Sequence, residues 1–108
     1  MINQVIKTKA QAKKVANAMK KDINEMLSIY ESYSVRMEDD DDRFCVYVTS
    51  PNACPILTSA AVGDVMKVLM AYDLQYRGIN YHIDTEKWNG EYIPVFVICV
   101  AWDDKEEQ

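Results

Sequence analysis

Two stretches of the chain repeat apolar residues at intervals of three and four, the spacing of a helix with one buried face. Thr8 and Gln11 have the spacing of a capping box, so we predict that the first helix runs from about residue 9 to 31. The second helix is predicted to begin near Ser59 and to end between residues 72 and 76. The predicted buried residues of the two helices are Ala12, Val15, Met19, Ile23, Met26 (with Leu27), Tyr30, Val62, Val65, Val68 (with Leu69) and Tyr72.

Each predicted helix is followed by two stretches in which apolar and polar residues alternate, the pattern of half-buried strands. Residues 33–38 and 43–49 predict a hairpin around the acidic tip Asp39–Asp42. Pairing Glu38 with Arg43 places the apolar residues of both strands on one face and sets an opposite-charge pair beside the tip. We therefore predict that register, since a shift by one residue would turn one strand over.

Residues 79–87 and 92–102 predict a second hairpin, because Asn89-Gly90 between them is the strongest two-residue turn signal. Placing Trp88 opposite Glu91 turns the apolar residues of the first strand toward the core. The second strand is apolar on both faces, as expected of a strand that is covered on both sides or that awaits a partner. The residues predicted to face the core are Ile79, Tyr81, Ile83, Phe96, Ile98 and Val100.

These elements predict one α+β domain over residues 1–108 in the order α-β-β-α-β-β, with a loop at 50–57 and flexible ends at about 1–6 and 103–108. Burying both helix faces favours a two-layer sandwich, with two helices on one face of a four-stranded antiparallel sheet. The second and fourth strands are the most apolar, so we predict the order 3-4-2-1, although Pro94 lacks a ladder N–H. This topology would be a circular permutation of the ferredoxin-like sandwich, an analogy that implies no function.

The composition, the net charge and the cysteines limit which partners and which cellular compartment we expect. Apolar residues make up 49% of the chain and charged residues 27%, which is ordinary for a globular protein. The net charge of −5 and the pI near 4.7 argue against direct binding of nucleic acid or of an anionic membrane. No apolar stretch is long enough for a signal peptide or a membrane span, and the three cysteines lack C-x-x-C spacing. We therefore expect a cytoplasmic protein with reduced thiols.

The residues that could support catalysis or metal binding form no recognisable motif. His82 is the only histidine, and we place it near Cys99 across two strands, on a flat sheet face that supplies no substrate cleft. The carboxylates from Glu38 to Asp42 lack the alternating spacing, the glycine and the distal glutamate of a calcium-binding loop. We predict no catalytic residue, no metal site and no cofactor.

The outer face of the last strand, away from the predicted helices, is the main candidate for a binding site. The apolar residues of this strip are Ile93, Val95, Val97 and Cys99, extended by Tyr47 of a neighbouring strand. An apolar strip with polar residues around it is typical of an interaction surface, so we expect a protein partner, namely a second copy in a homodimer. The alternative is that polar side chains of the same chain, among them Glu86 and His82, lie over the strip.

Clusters of charged residues are a second candidate for a binding site. The acidic tip consists of Asp39, Asp40, Asp41 and Asp42, which either form a solvated turn or dock on a basic partner. The tip suggests an alternative function, an inhibitor of a nucleic-acid enzyme (phage or mobile-element type) whose carboxylates imitate phosphates. The lysines in and before the first helix are either a solvated face or a stripe that docks on an acidic partner. We predict a small acidic protein-binding or regulatory module without catalysis.

Overall fold

The computed structural model describes residues 4–29, 33–40, 42–49, 59–88 and 90–103. The helices are α1 (Lys9–Met26), which continues as a 3₁₀ turn over Leu27–Ile29, and α2 (Ser59–Asp73). The strands are β1 (Gln4–Val5), β2 (Ser34–Asp39), β3 (Arg43–Thr49), β4 (Tyr76–Arg77), β5 (Ile79–Trp88) and β6 (Glu91–Ala101). The predictions made for residues 1–3, 30–31, Asp41, residues 50–57, Asn89 and residues 104–108 lie outside the described residues.

The four long strands form an antiparallel sheet in the order β2-β3-β6-β5, and α1 and α2 share one core with a single face of that sheet. The predicted α+β class, with helices over a four-stranded sheet, is therefore confirmed. The apolar strands β3 and β6 lie at its centre. Two short strands were not predicted: β1 and β4 form a parallel pair, so the element order is longer than α-β-β-α-β-β. The ferredoxin-like relationship remains an analogy.

The beginning of α1 has the predicted Thr8 cap, while the Gln11 side chain reaches back one residue beyond the cap residue. The Thr8 hydroxyl accepts from the Gln11 N–H at 3.1 Å, and the Gln11 side chain accepts from the Lys7 N–H at 3.0 Å. The far end differs from the prediction, because the α-helix stops at Met26 and that side chain is exposed. Leu27, predicted in the stripe together with Met26, is buried, since the chain tightens there into a 3₁₀ turn.

The first hairpin has the predicted faces but a different register. Met37 pairs with Val46 and Asp39 with Phe44, a shift of two residues from the predicted pairing of Glu38 with Arg43. The Asp40 N–H donates to the Arg43 carbonyl at 2.9 Å, so the turn is tighter than a four-residue acidic tip. The predicted pairing is wrong because a shift of two residues keeps every side chain on its face, and the hydrophobic pattern cannot detect it.

The second hairpin has the predicted register along its whole length, from Ile79 opposite Val100 to Trp88 opposite Glu91. Gly90 adopts a φ of +87°, as the predicted turn requires. Pro94 is compatible with a central strand, because the pairing of β6 with β3 ends at Phe96 and no β3 residue requires its missing N–H.

The N-terminal segment belongs to the fold, which corrects the predicted flexibility of residues 1–6 for those that the structure describes. Gln4 donates its N–H to the Gln75 carbonyl at 2.8 Å, and the Ile6 side chain is buried in the core. The Ile6 carbonyl accepts from the Asp103 N–H at 2.8 Å. The two described ends of the chain are thus hydrogen-bonded to each other.

Gly78 lets the chain pass from β4 to β5, and we expect Gly78→Ala to lower the free energy of unfolding by about 1–2 kcal/mol. Gly78 has a φ of +97°, and a Cβ atom there would lie 3.1 Å from the Ala101 carbonyl oxygen. Gly63 in α2 is the matched control, because a Cβ there meets nothing within 4 Å. Gly63→Ala should raise the free energy of unfolding by about 0.5–1 kcal/mol. Urea denaturation of both variants measures this, and a Gly78→Ala protein as stable as wild type would contradict it.

Candidate interaction surfaces

The sheet face opposite the helices carries the predicted apolar strip, and the strip is buried. The exposed fractions of Ile93, Val95, Val97 and Cys99 are 4%, 0%, 2% and 6%. Tyr47, opposite Val97 on β3, is half-buried against them. The expectation of an exposed apolar strip on β6 is therefore wrong, and these side chains offer no free contact surface.

A polar layer from the two outer strands explains this burial. Arg36 of β2 hydrogen-bonds to Glu86 of β5, so the two side chains meet above the central strands. The Arg36 guanidinium lies 4.5 Å from the centre of the Tyr47 ring, a cation–π contact, and its Nε donates to Glu38 at 3.1 Å. By the strand register, the line from Arg36 to Glu86 passes over Val95. Polar side chains of the same chain therefore cover the strip, which was the alternative left open by the sequence.

The electrostatics of this layer favour a charged guanidinium. Partial burial alone would disfavour the charge, but the hydrogen bonds to Glu86 and Glu38 outweigh that penalty and raise the pKa of Arg36. Arg36 thus remains a cation at every physiological pH and keeps both carboxylates in place. The long aliphatic part of such a side chain can cover apolar surface while its charged end stays hydrated.

Two cysteines meet on this face, a contact that the sequence analysis missed. Cys45 and Cys99 are directly opposite each other on β3 and β6, both thiols are free, and their Sγ atoms lie 3.4 Å apart. Burial, followed by the hydrogen bond with Cys45, raises the pKa of Cys99 to about 12. His82 lies opposite Val97, and Asn80 lies opposite Cys99. A protonated, buried thiol is a poor nucleophile, so the pair serves packing.

The acidic tip is exposed, and part of its charge is balanced within the chain. Lys9 Nζ of α1 lies 3.8 Å from an Asp39 oxygen, and Arg43 Nε lies 3.6 Å from an Asp40 oxygen. Asp42 is exposed, and Asp41 lies outside the described residues. The hairpin carries this tip beyond Cys45, away from Ile93. The structure therefore does not join the two predicted binding regions into one surface.

An open apolar surface lies on the other side of the sheet, between α2 and β5. The exposed fractions of Met70, Leu74, Tyr81 and Ile83 are 60%, 69%, 52% and 59%. Met66 and Met70 border a groove of ≈ 480 Å³ together with Ile79 and Tyr81. We refer to the residues Met66, Met70, Leu74, Tyr81 and Ile83 as the α2–β5 face.

The predicted core positions of Tyr81 and Ile83 are wrong because the helix layer does not extend over β5. The helix α1 packs on β2, β3 and β6, while α2 packs on α1 and β4. Ile79, at the start of β5, is still buried. Tyr81 stacks on Phe96 with ring centres 5.6 Å apart and planes inclined by 5°, so one side of its ring covers the core and the other side is open.

Comparison with known proteins found no matching family model, no matching curated protein and no matching solved structure. The described residues include no helix that is both long and apolar enough to cross a membrane. Within the same ranges, no three histidine, cysteine or acidic side chains converge to hold a metal ion. A proposal for the function therefore depends on the exposed surfaces of the described residues.

Burial of the β6 strip leads us to expect that Val95→Glu unfolds the protein rather than releasing a folded monomer. Val95 is fully buried and lies opposite Asp84, so the new carboxylate would be desolvated beside a like charge. We expect a loss of about 3 kcal/mol or more in the free energy of unfolding. Ile29→Glu, at an exposed position outside the helix–strand groove, is the control and should keep wild-type stability within about 1 kcal/mol. Circular dichroism with urea titration checks both, and a Val95→Glu protein of normal stability would show that the strip is open.

The raised pKa of Cys99 predicts a loss of stability in alkali. The thiol ionises in the unfolded chain near its ordinary pKa of 9.0 and in the folded protein near 12. Between these values the folded state holds a proton that the unfolded state has lost, so the free energy of unfolding falls as the pH rises. Urea titrations from pH 7.5 to 10.5 should show this fall, and Cys99→Ala should reduce its slope. An unchanged slope would mean that other groups cause the alkaline loss.

Proposed function

We propose that this protein is a small protein-binding module that acts by association through the α2–β5 face, without catalysis of its own. The observation that carries the proposal is an exposed apolar surface beside a long sheet edge. Met70, Tyr81 and Ile83 are each more than half exposed; Met70 and Tyr81 border the same groove, and Ile83 follows Tyr81 on the same face of β5. Clustered exposed apolar side chains are typical of sites that are covered by a partner.

The two edges of the sheet support this choice of surface. The edge strand β2 is short, and the exposed Glu38 and Asp39 near its end carry charge, both of which discourage pairing with another strand. The other edge strand, β5, extends over ten residues and presents Tyr81 and Ile83 on its helix side. An extended segment of a partner could therefore add to β5 through main-chain hydrogen bonds and cover these side chains at the same time.

The methionines of α2 suit such a contact. Met66 and Met70 are one helical turn apart and border the groove beside Ile79 and Tyr81. Methionine is unbranched and polarisable, so a methionine surface adapts to the shape of its partner. Asp73 and Asn80 also line the groove, so it offers polar as well as apolar groups to a protein partner.

The thiols, the histidine and the acidic tip give less support to catalysis or to the imitation of nucleic acid. Burial raises the pKa of the Cys99 thiol, which makes it a poor nucleophile, and His82 lies opposite a valine. In the acidic tip, Asp39 and Asp40 have Lys9 and Arg43 of the same chain as neighbours, which weakens the field that a phosphate mimic would need. The free thiols, 3.4 Å apart, support a reducing cytoplasm as the location.

Site-specific photocrosslinking tests the proposed function. A benzophenone amino acid is placed at Met70 or at Ile83 and irradiated in cells of the natural host, and Lys13, which is exposed on α1, is the control position. We expect covalent adducts with a protein at both positions of the α2–β5 face and none at Lys13. Apolar docking further predicts that the adduct yield changes less than about twofold between 0.1 and 0.5 M salt in lysate.

Two results would contradict the proposal. The first is equal labelling at Lys13 and Ile83, which would indicate random encounter. The second is the absence of any protein adduct at both Met70 and Ile83. A steep fall of the yield with salt would instead favour the acidic tip and the mimicry of nucleic acid.

A further inference from the structure

We propose that the partner at the α2–β5 face is a second copy of this chain, with the two β5 strands paired antiparallel about a two-fold axis at Ile83. The inference rests on the proposed function, because it names the occupant of the face that binds. Such a dimer joins two four-stranded sheets into one continuous sheet of eight strands. It is isologous, so each contact away from the axis occurs twice.

The free edge of β5 presents the backbone groups that this pairing needs. The Ala101 N–H donates to the Gly78 carbonyl at 3.0 Å, and ladder bonds then alternate along the antiparallel pair of β5 and β6. The N–H groups of the odd-numbered residues from Ile79 to Lys87 therefore point away from β6. Consistent with this, the Thr85 N–H donates to the neighbouring Asp84 carboxylate at 2.8 Å instead of to a strand.

Charge complementarity selects the register. With the axis at Ile83, His82 lies opposite Asp84 of the second copy, and this pair forms twice. Moving the axis to Asp84 would set that carboxylate against its own copy, and moving it to His82 would set the two imidazoles against each other. In the selected register Asp84 exchanges its bond with the Thr85 N–H for an interaction with the imidazole. The Thr85 N–H then becomes a donor to the opposite strand.

A second charged contact arises at each end of the paired strands. Lys87 of the second copy lies opposite Ile79 in this register. Ile79 and Asp73 both line the groove beside α2, so the ammonium group of Lys87 approaches the Asp73 carboxylate. The register thus pairs an imidazole with a carboxylate on one face of the joined sheet and opposite charges on the other, which an arbitrary pairing of identical strands does not achieve.

The apolar contacts agree with the same geometry. Ile83 meets its own copy on the axis, and the two Tyr81 side chains lie on either side of it. Both residues are more than half exposed in the single chain, although they share the sheet face that forms the core. The second copy would cover the part of this face that the helices do not reach.

Cysteine crosslinking tests the register in the full chain. In a Cys54→Ser background, Ile83→Cys should form a covalent dimer on mild oxidation by diamide, because residues paired across antiparallel strands have Cα atoms about 5.5 Å apart. Thr85→Cys is the matched control on the same edge. It lies opposite Tyr81, so two copies of Cys at position 85 are about 13 Å apart and should not join. A mixture of Thr85→Cys and Tyr81→Cys proteins should form the mixed dimer.

A charge-exchange experiment tests the same contact without oxidation. Lys87→Asp should raise the dimer dissociation constant at least about tenfold, because it places a carboxylate near Asp73 of the second copy. Adding Asp73→Lys to the same chain should restore most of the affinity. Analytical ultracentrifugation over a range of concentrations measures the constants, and circular dichroism confirms that each variant is folded.

The outcomes separate this inference from the proposed function. A wild-type chain that stays monomeric in the ultracentrifuge, or an Ile83→Cys protein that joins no better than the Thr85→Cys control, would overturn the second copy as partner. If photocrosslinking at Ile83 then gives an adduct with a different protein, the proposed function stands without the dimer. An adduct with the mass of two copies of this chain would support both.

Discussion

Burial of the central strand β6 on both of its faces is the constraint on which the rest of the structure depends. One face joins the helix core through Phe96, Ile98 and Val100, and the other carries Val95 and Val97. No second helix layer covers that other face among the described residues. A hydrogen-bonded pair of long polar side chains, Arg36 and Glu86, covers it instead, with Tyr47 beneath the guanidinium. The sheet is thereby closed on one side by helices and on the other by charged side chains.

The helix layer also leaves the α2–β5 face uncovered. With α1 over β2, β3 and β6, and α2 packed on α1 and β4, the outer half of β5 lies beyond the helix layer. Tyr81 and Ile83 alternate with polar residues as core residues do, yet nothing in the described chain covers them. An edge strand in this position has free backbone groups and apolar side chains together, and the proposal of association depends on this combination. The buried thiols and the acidic tip, by contrast, have partners within the chain.

Much of the fold could be predicted from the chain because its signals are local. The capping residues Thr8 and Gln11 mark the start of α1, and the register of the second hairpin follows from a two-residue turn between alternating strands. The first hairpin shows the limit of such signals. The run of acidic residues between its strands is compatible with two registers that differ by two residues, and both place Val46 on the core side. The α2–β5 face could not be predicted from such local signals, because its exposure depends on how far α2 extends over the sheet.

The sequence by itself determined which residues are helical, which strands alternate, and which face of each strand is apolar, since these properties arise from the periodic positions of side chains. Only the tertiary structure decided which apolar faces are covered. Ile83 and Val95 have similar side chains in neighbouring strands, yet Ile83 is exposed and Val95 is buried. Exposure depends on the positions of elements distant in sequence, here α2 over one face and Arg36 over the other. A local pattern carries no information on those positions.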